Sequence, residues 1–100
     1  MPRALAKIGD LIIAETEVWE TVEDNIYFPI SAIKDPSILQ HSDRSTFCSW
    51  KGHASYWHLN LNGEVIENAA WYYQYPYDAA AHIKDHVAFY KDRVEVVEDY

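Results

Sequence analysis

Gly52-His53-Ala54-Ser55-Tyr56-Trp57-His58-Leu59-Asn60-Leu61-Asn62-Gly63 alternates along its length, with Trp57, Leu59 and Leu61 on one side and Tyr56, His58 and Asn60 on the other. A period of two marks a strand, because successive side chains leave opposite faces of the backbone. The first set reads as core, and the second faces solvent or a cavity. Asn62-Gly63 comes next; both residues tolerate positive φ, which makes the pair a strong hairpin signal, and Glu64 to Glu67 reads as the returning strand. Ala69 to Tyr75 is a further strand, rich in the aromatics that pleated surfaces favour.

The flanking segments continue the β pattern. Arg3 to Ile8 and Leu11 to Thr16 are strands joined by Gly9-Asp10, a two-residue hairpin turn. Val18 to Val22 and Ile26 to Phe28 flank a second turn at Glu23-Asp24-Asn25, and Pro29 ends that run because it has no N–H for a strand ladder. Ile30 to Asp43, with Pro36 and polar turn residues, reads as a loop with one helical turn at Pro36 to Gln40. Asp78 is placed to cap a short helix over Ala79 to His86, with Ala79, Ile83 and Val87 as an apolar stripe. Val87 to Tyr90 and Val94 to Val97 read as a last hairpin across Lys91-Asp92-Arg93. The expected fold is therefore mainly β: small antiparallel sheets or an open barrel built from hairpins, with one short helix near residues 78–86.

One hundred residues suffice for a single domain over 1–100, which buries roughly two-thirds of the surface its unfolded chain exposes. No apolar run approaches the ~20 residues of a membrane helix. The N-terminal segment meets charge at Arg3 and Lys7, too soon for a secretory signal. One cysteine forms no intrachain disulfide, and the expected location is the cytoplasm. The net charge of −8 repels phosphate backbones, so nucleic acid is not an expected partner, nor is a membrane. The acidic stretches Glu15 to Glu23 and Glu95 to Asp99 read as solvated surface.

Two blocks carry candidate chemistry. Thr46-Phe47-Cys48-Ser49-Trp50-Lys51-Gly52-His53-Ala54-Ser55-Tyr56 combines the sole cysteine, a cation, a tryptophan and a glycine that allows a sharp bend. About twenty residues on lies Ala69-Ala70-Trp71-Tyr72-Tyr73-Gln74-Tyr75-Pro76. Aromatic walls with a few convergent polar groups are the usual make-up of a ligand site. Tyr27, Trp50, Tyr56, Trp71 and Tyr73 are its candidate walls, with Lys51 and Arg44 for an anionic group; Trp71 and Tyr73 share a strand face and Tyr72 takes the other. Desolvation lowers a lysine pKa, so Lys51 is also a candidate for proton transfer or Schiff-base chemistry. Cys48 is a candidate nucleophile beside Lys51 and His53, against the plainer role of a small buried hydrophobe. His82 and His86 stand four apart, but no Glu of a His-Glu-x-x-His site lies between them and no third ligand is evident; no metal or cofactor is expected, and His82 is taken as a pocket residue.

In their order along the chain, Tyr27-Phe28-Pro29, Thr46 with Cys48, Trp50-Lys51-Gly52, Ala54 with Tyr56, Ala69-Ala70-Trp71-Tyr72-Tyr73 and Val87-Ala88-Phe89-Tyr90 leading to Val94-Glu95-Val96 resemble the bacterial and fungal domain of unknown function 427 family, sometimes filed as nucleotidyltransferase-like. The resemblance covers essentially the whole chain and implies a compact, mostly β domain. Two positions depart from the family pattern: Ser49 stands where proline is usual, and Asp24 where glycine is usual. Nucleotidyl transfer needs carboxylates for Mg²⁺ and groups for a triphosphate, and this chain has no Asp-x-Asp pair and no glycine-rich phosphate loop. The reading that results is a protein binding a small anionic or planar molecule between the Trp-Lys-Gly bend and the Trp-Tyr-Tyr strand. Its alternatives are an enzyme using Cys48 or Lys51 covalently, and an interaction module that self-associates through an edge strand.

Overall fold

The computed structural model describes residues 2–99. Nine strands lie among them: β1 (Arg3–Ile8), β2 (Leu11–Thr16), β3 (Glu20–Val22), β4 (Asn25–Pro29), β5 (Leu39–Cys48), β6 (Gly52–Leu61), β7 (Glu64–Tyr72), β8 (His86–Phe89) and β9 (Glu95–Asp99). They form a small sheet in the order β2-β1-β9 and a larger one in the order β3-β4-β8-β7-β6-β5. All pairings are antiparallel, so the mainly β class expected from the alternation holds, as two open sheets. No helix among the described residues is long and apolar enough to cross a membrane.

Four features differ from the sequence reading. Leu39 to Asp43 is not loop but the start of β5, which pairs Leu39 with Leu59 and His41 with Trp57 before bulging ahead of Ser45. Polar bulge residues hide the strand, because a bulge breaks the two-residue period. Glu64 to Glu67 and Ala69 to Tyr72 are one strand, β7, interrupted where its register shifts between Ile66 and Ala70. The two bulges are tied together across β6: Asn68, at φ 51°, donates its N–H to His58 Nδ1 at 2.9 Å, and Ser42 Oγ hydrogen-bonds Asn68 Oδ1.

The last hairpin does not form either. β8 inserts between β4 and β7, while β9 crosses to the other sheet and pairs β1 from Arg3↔Asp99 to Lys7↔Glu95. Between them, Arg93 and Val94 both donate to the Tyr90 carbonyl, a tight turn that redirects the chain and drops Val94 into the core. The helix expected over 78–86 is a short 3₁₀ segment, Asp78–Ile83, broken at Ala80, with Tyr77 rather than Asp78 at its N-cap and no side-chain cap. Six residues are too few to offset α-helical nucleation.

Alternation in the large sheet buries both of its faces. Ile26, Phe28, Leu59, Ala70, Val87 and Phe89 point toward the small sheet and pack with its Ala4, Ala6, Ile13 and Ala14. The Phe28 and Phe89 rings meet edge-on at 5.6 Å. The residues between them, Tyr27, Tyr56, Trp71, Tyr73 and Ala88, build a second cluster on the opposite face, which Ala80 and Ile83 of the 3₁₀ segment cover. The acidic stretch from Glu15 is not simply solvated: Glu15 takes an ion pair from Arg3 and another from Lys34 at 3.1 Å, and chiefly the Lys34 hydrogen bond holds its carboxyl below the usual range.

The β3–β4 turn places Glu23 at φ 53° and Asp24 at φ 64°, between the paired Val22 and Asn25. Both central residues of such a turn need positive φ, which side chains with a Cβ resist and glycine does not. Asp24→Gly is therefore expected to stabilise the fold by about 0.5 kcal/mol, the relieved backbone strain exceeding glycine's entropy. Urea unfolding should show a higher midpoint with an unchanged slope; a lower midpoint would contradict the strain.

Candidate functional site

The bend between β5 and β6 is fixed by the segment that leaves β7. Gly52 sits at φ 109°, where a Cβ would meet the Tyr75 backbone oxygen at 3.4 Å, and the Tyr77 N–H donates to the Lys51 carbonyl at 2.9 Å. Residues 75–77 thus pack directly on the Trp50-Lys51-Gly52 loop, and only glycine combines that backbone angle with that approach. Ser49, in place of the usual proline, leaves the bend intact.

This packing buries Lys51, the one buried charged residue among those described, at 7 % exposure. Its Nζ donates to the Glu23 carboxylate and lies 5.4 Å from the Tyr73 ring centre and 5.6 Å from that of Trp50. Burial pulls the ammonium toward its neutral form, as expected from the sequence, but the pKa is raised instead, with the Glu23 hydrogen bond the first of the opposing causes. The Lys51 hydrogen bond in turn holds the Glu23 carboxyl below its ordinary value. Both members are charged at neutral pH. Their surroundings differ, however: the Glu23 side chain is 52 % exposed and reaches Lys51 from the β3–β4 turn.

Around the ammonium the rings are ordered by polar contacts. Trp71 Nε1 donates to the Tyr27 hydroxyl at 3.0 Å, and the two rings meet edge-on at 6.2 Å. Tyr90 leans on Trp71 at 4.7 Å and stacks parallel to Tyr56. Burial raises the Tyr27 and Tyr73 hydroxyls; burial and the neighbouring Tyr56 push Tyr90 up to about 12. At neutral pH these hydroxyls are protonated, so the cluster offers donors and one cation.

Of the residues singled out in the sequence, Tyr27, Lys51, Tyr56, Trp71 and Tyr73 converge on this face, Trp50 flanks it at the surface, and the half-buried Cys48 packs against it. Arg44 joins the margin, its guanidinium 4.8 Å over the Tyr56 ring. His82 does not take part: it is exposed on the 3₁₀ segment, and His86 belongs to β8, so the two histidines share no helix face. Bend and aromatic strand touch as expected, but in close contact: Lys51 lines none of the five principal concavities. Glu23 is hidden in the sequence as one of several turn acids, and nothing local pairs it with a lysine 28 residues away. On the other face Tyr72 stacks on Trp57 at 5.0 Å, beside a cleft of about 320 Å³. Among the described residues, no three His, Cys, Asp or Glu side chains come together as metal ligands.

Comparison with curated proteins yields no match. The sequence signature of the family described as domain of unknown function DUF427 matches residues 3–100. The Tyr-Phe-Pro, Trp-Lys-Gly and Trp-Tyr-Tyr blocks that meet around Lys51 are thus parts of one family pattern, and the chain belongs to the DUF427 family.

Proposed function

We propose that this protein binds a small planar anion at Lys51, with the carboxylate or phosphate of the ligand taking the place of the Glu23 carboxylate and its ring lying against Trp50. One observation carries the reading: the cation is fixed and buried, while its counter-ion is half exposed and held by a turn whose two central residues both lie at positive φ. Desolvation of the ammonium is already incurred in folding, so an incoming anion exchanges one ion pair for another. Trp50, 38 % exposed and close to the ammonium, supplies a flat surface for a ring.

Benzoate and inorganic phosphate are suitable probes, read by calorimetry or by NMR of the tryptophan indoles. Glu23→Gln removes the internal competitor and is expected to tighten benzoate binding about tenfold, or about 1.4 kcal/mol. Lys51→Met should abolish binding of both probes, and Trp50→Ala should weaken benzoate while sparing phosphate. Equal benzoate affinity in the wild type, Glu23→Gln and Lys51→Met would overturn the proposal.

The ion pair also predicts a pH dependence of stability. The Glu23 pKa is depressed by folding, so its contribution is complete above the unfolded value of about 4.3 and fades as pH falls through the lower folded value. Wild type is expected to exceed Glu23→Gln by about 1 kcal/mol at neutral pH, a figure kept small by the exposure of Glu23. The difference should vanish in denaturation curves measured well below about pH 4.

A specific observation favours a second reading, an interaction surface. Phe47, His53 and Tyr77 meet on the outside of the same loop, with ring centres 5.0 and 6.3 Å from Phe47, and Phe47 is 59 % exposed on the edge strand β5. Exposed rings on an unpaired edge favour association with a second copy. Sedimentation equilibrium should then show a concentration-dependent dimer that Phe47→Ala abolishes; a monomer at all concentrations would exclude it.

A further inference from the structure

The turn that carries Glu23 is held by a second lysine. Lys91 Nζ donates to the backbone carbonyl of Asp24 at 2.7 Å, across 67 positions of sequence. The contact follows from strand register: β4 and β8 pair Phe28 with Val87, and four residues beyond that pair on the two strands stand Asp24 and Lys91. Lys91 also starts from a fixed point. The preceding Tyr90 donates its N–H to the Ala69 carbonyl at 2.9 Å, and its own carbonyl accepts from Arg93 and Val94. Its ring packs 4.7 Å from that of Trp71.

The turn itself closes a short hairpin at the margin of the large sheet, where β3 is three residues long and an edge strand. Inside it, Asn25 Nδ2 donates to the Glu23 carbonyl at 3.3 Å. Two contacts reach it from other elements: Lys51 on the Glu23 carboxylate and Lys91 on the Asp24 carbonyl. The two lysines thus grip adjacent residues, one by its side chain and the other by its backbone. Both bonds have a charged donor, and such bonds are about twice as strong as neutral ones.

We propose, resting on the anion site at Lys51, that Lys91 is a positioning residue of that site: by holding the Asp24 carbonyl it keeps the Glu23 carboxylate on the Lys51 ammonium, and so sets how readily an outside anion takes its place. The Glu23 carboxyl answers directly to the Lys51 ammonium and the Trp50 indole, so Lys91 acts on it through the backbone of the turn. Loss of Lys91 leaves the binding cation and its burial unchanged and weakens only the internal competitor.

The test is a carbon-13 NMR titration of the Glu23 side-chain carboxyl in the full chain, assigned by its loss in Glu23→Gln. It is recorded at about 1 M salt, where exposed charges more than about 3 Å apart are screened and a through-space effect of Lys91 is suppressed. Lys91 is exposed, so its variants should fold. Lys91→Met is expected to move the Glu23 midpoint up toward the ordinary carboxylate range, and Lys91→Arg, which keeps a charged donor, to restore it. In calorimetry, benzoate should bind Lys91→Met about threefold more tightly than wild type, the change typical of one exposed hydrogen bond. Adding Lys91→Met to Glu23→Gln should change nothing, since no competitor remains. An unchanged Glu23 midpoint in Lys91→Met overturns the proposal, and so does an equal gain in benzoate affinity in the Glu23→Gln background. Failure of benzoate to bind any variant, with the midpoint still displaced, overturns the anion site and leaves the hold of Lys91 on Glu23 standing.

Discussion

Alternate residues of β4 and β8, and the Ala70-Trp71 pair of β7, answer to two different cores, and this double demand governs the rest of the molecule. Ile26 and Phe28 face the small sheet while Tyr27 between them faces away; Val87 and Phe89 do the same around Ala88, and Ala70 and Trp71 divide likewise. A one-residue slip of any of these strands would exchange the two sets. The exchange would place the Tyr27 hydroxyl and the Trp71 indole N–H among the aliphatic side chains of the first core, where no polar partner awaits them. Register is therefore specified from both sides, and the bulges in β5 and β7 fall close together along β6, opposite Tyr56 and His58 respectively.

The two cores differ in kind. The first is alanine, isoleucine, leucine, phenylalanine and valine and needs shape alone. The second is built from rings that carry hydrogen-bonding tips, and such a core closes only if those tips are paired with one another. Trp71 and Tyr27 satisfy each other, Tyr56 turns to Thr46 at 2.8 Å, and Lys51 finds Glu23. The lysine is the costly member, since a buried ammonium is tolerated only with a counter-ion. That counter-ion comes from the turn of another hairpin, whose two central residues lie at positive φ. A protein that needed only stability would place an apolar side chain there.

Much of this architecture is readable from pattern. Boundaries of β1 and β2 follow from Gly9-Asp10, and β6 with its return follows from strict alternation and Asn62-Gly63, because these signals are local. The features that pattern misses are non-local. The first half of β5 is polar because it edges the sheet and bulges, so no period is visible over His41-Ser42-Asp43. Val94 to Val97 resembles a hairpin partner of β8 because adjacency in sequence is the default; its partner β1 lies at the other end of the chain. At the site, composition singles out Lys51 and the rings, since cation, glycine and aromatics coincide in two blocks. Glu23 cannot be found that way, being one of sixteen acidic residues. Alternation marks Trp57 as plain core, and only the geometry shows its indole N–H enclosed without a partner.

The charge of the chain bears on how an anion would reach Lys51. With a net charge of −8, the protein as a whole repels anions, so long-range steering does not help a ligand onto the site. Selectivity must then arise at contact, where the field of one desolvated ammonium is strong because its surroundings are rings and not water. The same repulsion works on polyanions with greater force, since each added phosphate meets the whole surface while only one can meet Lys51. A compact monoanion with a flat body would suffer least from the global field and gain most from the local one, and that balance, rather than any shape of cavity, is the basis of the ligand class proposed for this face of the sheet.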